Sequence, residues 1–226
     1  MDGGLELFIR LARGSYMLAL LFEVTPKPDG YQRYLDIAAA LRPALDKHDG
    51  FLFIDRYRSL SKPETILSHS LWRDEASLAA WRTFESHHHA QIAGREHVFA
   101  DYRLRIAHVV LERTPNPSAR RLSRPSSYND PVARPPRHVV IAESRGTQSA
   151  DDASDRFESL NRPNEFLSLY DAGDLEAATL LVESLGDPKS DAAASKSISV
   201  RLCEVERDYG MFDRREAPQY YRPVSR

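Results

Sequence analysis

The chain has 226 residues, 42% of them hydrophobic, with 31 Lys+Arg against 33 Asp+Glu and a formal net charge of −2. That excludes disorder throughout, suits one large domain or two small ones, and leaves no overall basic footprint for nucleic acid. A single cysteine, Cys203, excludes an intramolecular disulfide framework and a cysteine-built zinc cluster; it fits a reducing compartment, so the expected location is cytoplasmic. The early apolar run Met17 to Phe22 falls far short of the roughly 20 residues of a membrane span, and no basic signal-peptide opening precedes it.

In chain order, Tyr16–Val24 is a β-branched and aliphatic run that predicts a strand, ended by Thr25-Pro26-Lys27-Pro28-Asp29-Gly30. Tyr31, Tyr34, Leu35, Ala38, Leu41 and Leu45 recur at three- and four-residue steps and predict a helix that stops near Asp49-Gly50. Phe51–Arg58 alternates as a strand, Lys62-Pro63-Glu64 turns it, and Thr65–Leu71 returns. Asp74-Glu75 opens a second helix with negative charge at its positive end, and Leu78, Trp81, Phe84 and His88 are expected along one side of it. Asp101–Glu112 closes the series as a fourth strand, giving the order β-α-β-β-α-β of the ferredoxin-like split unit.

Residues 113–137 hold six of the fourteen prolines and six arginines without hydrophobic periodicity, the composition of a linker. On either side the sequence repeats itself. RYRSLSKPETILS at 56–68 and RFESLNRPNEFLS at 156–168 share six residues without a gap, among them Arg56/Arg156, Leu60/Leu160 and Ser68/Ser168. A weaker echo sets Arg105–Val109 against Arg201–Val205. The chain therefore divides into a first module at 1–112, the linker, and a second, abbreviated module at 138–226 with a C-terminal extension. In the second copy His138–Ser144, Glu165–Tyr170 and Ser197–Glu206 predict strands and Asp174–Leu185 a helix, while the first helix is lost or reduced to a turn. Each sheet would have one face under helices and one bare apolar face. Packing the bare faces together yields an intrachain, pseudo-dimeric α+β barrel, with an interior expected to hold a small ligand.

The run SLWRDEASLAAWRTFESHHHAQIAGREHVFADYRLRIAHV at 70–109 resembles the antibiotic biosynthesis monooxygenase superfamily, in which a strand ends in Trp, an acidic helix start follows and the last strand carries Tyr-Arg-x-Arg. Val205-Glu206-Arg207-Asp208-Tyr209-Gly210 resembles the end of such a module. The resemblance implies an oxidoreductase that acts with O₂, without cofactor, on a small aromatic or polyketide-like substrate in an apolar pocket. Two alternatives stay open: a haem-binding enzyme of the same fold with a histidine ligand from the second helix, and a non-catalytic ligand-binding barrel. The haem-degrading branch of the family would require an Asn on the first strand and a His nine or ten residues after Trp81, where this chain has Ala90 and Gln91.

The candidate catalytic residues are His69, His88, Trp72 and Trp81, with His87 and His88 as ligands only if haem is bound. His69 shares a strand face with Leu67 and Leu71, which makes it the candidate base if that face looks into a pocket. Phe53, Arg56, Phe84 and Arg105 complete the expected substrate pocket, although Arg56/Arg156 and Arg105/Arg201 also read as structural arginines that each module pairs with a carboxylate. No residue pattern makes a metal cage. The expected partner is a small molecule rather than nucleic acid or membrane, with homo-oligomerisation left open.

Overall fold

The computed structural model describes residues 17–114, 120–121, 137–146, 153–185, 195–219 and 221. The first module supplies β1 (Leu18–Pro26), α1 (Gly30–Leu45), β2 (Phe51–Ser59), β3 (Ile66–Trp72), α2 (Glu75–Thr83), α3 (Glu85–Ala93) and β4 (Phe99–Arg113). A two-residue strand, β5 (Arg120–Arg121), pairs with β4; most of the proline-rich linker lies outside the described residues. The second module follows with β6 (Arg137–Gly146), β7 (Asp155–Ser159), β8 (Glu165–Ala172), α4 (Leu175–Leu185) and β9 (Ser195–Gly210). Residues 147–152, where a reduced first helix of the second copy would fall, are outside the described set.

Strand order β1-β3-β2-β7-β8-β6-β9-β4, with β4 returning to β1, closes eight antiparallel strands into one barrel. Closure removes the exposed edges that two separate sheets would carry. At the first seam between modules, Tyr57 pairs with Ser159, Arg58 with Glu158 and Ser59 with Phe157. Leu60 N–H donates to the Arg156 carbonyl and Leu160 N–H to the Arg56 carbonyl, both at 2.8 Å. The second seam keeps the same approximate twofold: Glu112 pairs with Arg201 and Arg105 with Asp208. The internal repeat is thus a repeat of hydrogen-bond register as well as of sequence, since Arg56 faces Ser68 and Arg156 faces Ser168.

Alternation along the strands sends odd-numbered residues of β1, β3 and β4 into the barrel. Leu21, Leu67, Leu71, Ala107, Ile141, Leu169 and Cys203 fill it, with Tyr57 and Phe157 from the seam. Ion pairs complete the interior: Arg105 Nη2 donates to Glu23 at 2.7 Å, and its repeat counterpart Arg201 donates to Glu143 at 2.7 Å. These are the structural arginines the repeat suggested. The barrel is a packed core, so the ligand space expected between the two sheets lies elsewhere.

Candidate active site

The even-numbered face of β1, β3 and β4 points outward, and α1, α2 and α3 cover it. Between sheet and helices lies a cavity of about 200 Å³. Its apolar walls include Leu20, Phe22, Ile54 and Trp72 from the sheet and Leu41 and Trp81 from the helices. Tyr209 on β9 and the following segment, through Arg214, Gln219 and Tyr221, close one end.

The helix expected to run on from Asp74 breaks. Asp74 opens it as predicted and also caps it, its side chain accepting from Ser77 N–H at 2.8 Å in a capping box. Phe84 then adopts an extended conformation (φ −61°, ψ 127°), ending α2 and starting α3. The break resets the helical phase, so the seven-residue spacing from Trp81 to His88 no longer places them on one face. His87 takes that place: its ring stacks on Trp81 at 4.7 Å and 18°, and it lines the cavity. The Trp81 carbonyl, which also accepts from Phe84 N–H at 3.1 Å at the helix end, lies 2.9 Å from His87 Nδ1. Contact with a carbonyl oxygen at that distance assigns the proton to Nδ1, because two lone pairs would repel; one N–H of Gln91 Nε2, which lies 3.1 Å from Nδ1, goes to the Arg82 carbonyl at 3.0 Å. Nε2 therefore holds the lone pair, without a partner among the described residues. Burial pushes the imidazole down to about 4, so it is neutral at physiological pH.

Four arginines, Arg56, Arg82, Arg95 and Arg214, line the same cavity, and no Asp or Glu is among the described residues lining it. Arg95 and Arg214 both donate through Nη1 to the Tyr102 phenol oxygen, at 2.6 and 2.7 Å. They also flank the Tyr221 ring at 4.9 and 5.1 Å, while Tyr221 O–H donates to Gln91 Oε1 at 2.6 Å. Arg56 lies over the Tyr34 ring, at 5.8 Å, with Nε buried and unbonded. Nε and Nη1 of Arg82 are likewise buried without a hydrogen-bond partner.

Of the expected site residues, Trp72, Trp81, His87 and Arg56 meet in the cavity. His69, Phe53 and Arg105 do not, for one reason: they stand on the opposite face of their strands and enter the barrel. His69 is fully buried there, 5.9 Å from Phe53, with Nε2 unpartnered, and burial outweighs the pull of Glu143 and holds it down at about 4. Arg105 is committed to Glu23 and Asp171. Phe84, in the helix break, is 42% exposed and stacks on Trp81 at 5.5 Å without lining the cavity. His88 stacks at 6.4 Å against Tyr221, outside the lining. Arg82, Arg95, Tyr102, Gln91, Arg214 and Tyr221 went unpredicted; the last two belong to an extension with no repeat counterpart.

His87 is the one histidine among the described residues lining the cavity, and its ring stacks on Trp81. Among the described residues no group of three or more metal-ligating side chains assembles, and no helix is long and apolar enough to cross a membrane.

In the second module the equivalent outer face is filled: Tyr170, Ala178, Val182 and Leu202 pack together under α4. The model of the antibiotic biosynthesis monooxygenase family matches residues 17–93, within the first module, whose sheet and helices form most of the cavity. Solved structures are similar at low identity: a protein of Lactobacillus acidophilus at 10% (TM-score 0.40; 85% of this chain, 95% of that one), and one of Pseudomonas aeruginosa at 20% (TM-score 0.36; 42% and 93%). A protein of Pyricularia oryzae named jasmonate monooxygenase ABM is 39% identical over 219 residues, spanning 92% of this chain and 100% of its own length. Identity at that level over 92% of the chain places it in the antibiotic biosynthesis monooxygenase family.

Proposed function

We propose that this chain acts with O₂, without a cofactor, on a small, largely apolar molecule held between the outer face of the sheet and α1–α3. The observation that carries the reading is the make-up of that cavity: apolar and aromatic walls, one neutral histidine with a free lone pair, and arginines in a lining whose described residues include no carboxylate. Jasmonate, a cyclopentanone acid and the compound in the fungal relative's name, is the first substrate to test; quinols and anthrones form the second panel.

The residues divide the work as follows. Trp72 and Trp81 hold the substrate flat and keep water out. His87 Nε2 accepts a proton from a C–H next to a carbonyl, and arginine N–H groups stabilise the enolate that forms. The enolate passes an electron to O₂, the pair joins as a hydroperoxide, and loss of water leaves a new carbonyl. A CH₂ and O₂ become C=O and H₂O, with all four electrons from the substrate. A product alcohol instead consumes two further electrons and two protons from an added reductant.

The test is incubation of the purified protein with each compound under ¹⁸O₂, with and without reductant, followed by mass spectrometry. One ¹⁸O per product molecule is expected. Ligand binding without label in any product would return the chain to a non-catalytic binding barrel.

A further inference from the structure

Among the described residues lining the cavity, four carry a guanidinium and none carries a carboxylate, so a guanidinium there without a partner of its own is costly in a poorly solvated space unless an anion joins it. The four are not equivalent. Arg95 donates to Tyr102, and Arg214 spends Nη1 on Tyr102 and Nη2 on the Gln219 carbonyl. Arg56 recurs as Arg156, which also has a buried unpartnered nitrogen on a face that holds no such cavity, so it is a feature of the module. Arg82 differs on both counts. Its guanidinium has neither a hydrogen bond nor an ion pair among the described residues, and the second copy has Val182 in its place, packed into the core at 2% exposure.

We infer that Arg82 is the specificity-determining residue of this cavity and binds the carboxylate of an apolar monocarboxylic acid whose body lies against Leu20, Phe22, Leu41 and Trp72. A planar guanidinium matches a carboxylate through two parallel N–H bonds, and the match survives only with Arg at that position. The neutral ester of the same acid presents the same body without the anion.

This inference rests on the cavity being the substrate site, and the experiment reads binding apart from turnover. The two tryptophans of the chain both line the cavity, so their fluorescence reports occupancy directly. Jasmonic, 1-naphthylacetic and octanoic acids are titrated against their methyl esters, with the wild type, Arg82→Gln, Arg82→Lys and Arg56→Gln. At least one acid binds the wild type about tenfold to hundredfold more tightly than its ester, the worth of a charge-assisted hydrogen bond. R82Q abolishes that preference by weakening the acid alone, R82K restores it in part, and R56Q keeps it. Equal affinity of acids and esters, no binding by any acid, loss of acid and ester together in a folded R82Q, or loss of the preference in R56Q would each overturn the assignment. Arg82-dependent binding without oxygenation leaves the anchor standing and removes the oxygenase; oxygenation of acid and ester alike does the reverse.

Discussion

Replacing His69 by Leu separates the barrel interior from the cavity. His69 is fully buried, its Nδ1 lies 3.4 Å from the Leu20 carbonyl and its Nε2 has no partner. Leu has a similar volume and no polar atoms, so the substitution relieves an unsatisfied group at the cost of one long hydrogen bond, a net gain of about 1 kcal/mol at neutral pH. The pH dependence is sharper. The folded-state value is about 4 against an ordinary 6.5, so between those limits the unfolded chain binds more protons and the wild type loses stability as pH falls. At about 1.4 kcal/mol per unit, that loss reaches about 2 kcal/mol at pH 5 and is absent in the variant. With about 2–4 °C of melting temperature per kcal/mol at this size, the variant's lead should widen by about 4–8 °C from pH 7 to pH 5. Thermal melts followed by circular dichroism give the difference, and oxygenase activity is measured on the same samples. A lead that does not widen, or a hundredfold loss of activity, refutes the placement of His69 outside the chemistry.

Three further outcomes follow from the same geometry. Burial opposes ionisation of Glu143, but Arg201 and the Ser199 hydrogen bond outweigh it and hold the carboxyl at about 2; Glu143→Gln should lower the melting point at pH 7 by about 10 °C. Its contribution is present above 4.5 and lost as pH falls toward 2, so a gap to the wild type that stays unchanged at pH 3 would count against the ion pair. His87→Phe keeps the stack on Trp81 and removes the proton acceptor, and should cut oxygenation by about a hundredfold or more while ligand still quenches tryptophan fluorescence. The wild-type rate should stay level from pH 8 to 5 and decline only near 4; a limb at 6.5 would contradict a buried, neutral His87. Tyr221→Ala opens one end of the cavity and should weaken acid and ester to the same extent, unlike R82Q, and an unchanged ester affinity would show that Tyr221 does not close the site.

Local patterns in the sequence carry the elements and the duplication. The apolar stripe of α1, the Asp74 cap and the alternation of β3 are short-range and appear where the spacing puts them. Arg105 and Arg201 likewise act as the repeat implied, each with a carboxylate from the first strand of its own module. Trp72 and Trp81 entered as candidates through the family resemblance, and both line the cavity because a strand end and a helix face fix them locally.

Short-range patterns thus establish two copies of one module, each with a face to bury. Which face encloses a cavity was left to tertiary structure, because a closed barrel fills its interior with side chains from eight strands and leaves space where helices stand off the sheet. One extended residue, Phe84, exchanged His88 for His87 by resetting a helical phase that periodicity assumed continuous. Arg82, Arg95 and Arg214 come from α2, the turn before β4 and the C-terminal extension. No spacing rule joins residues so far apart in the chain; only the packing of the helices and that extension over one sheet brings their charges to a single cavity.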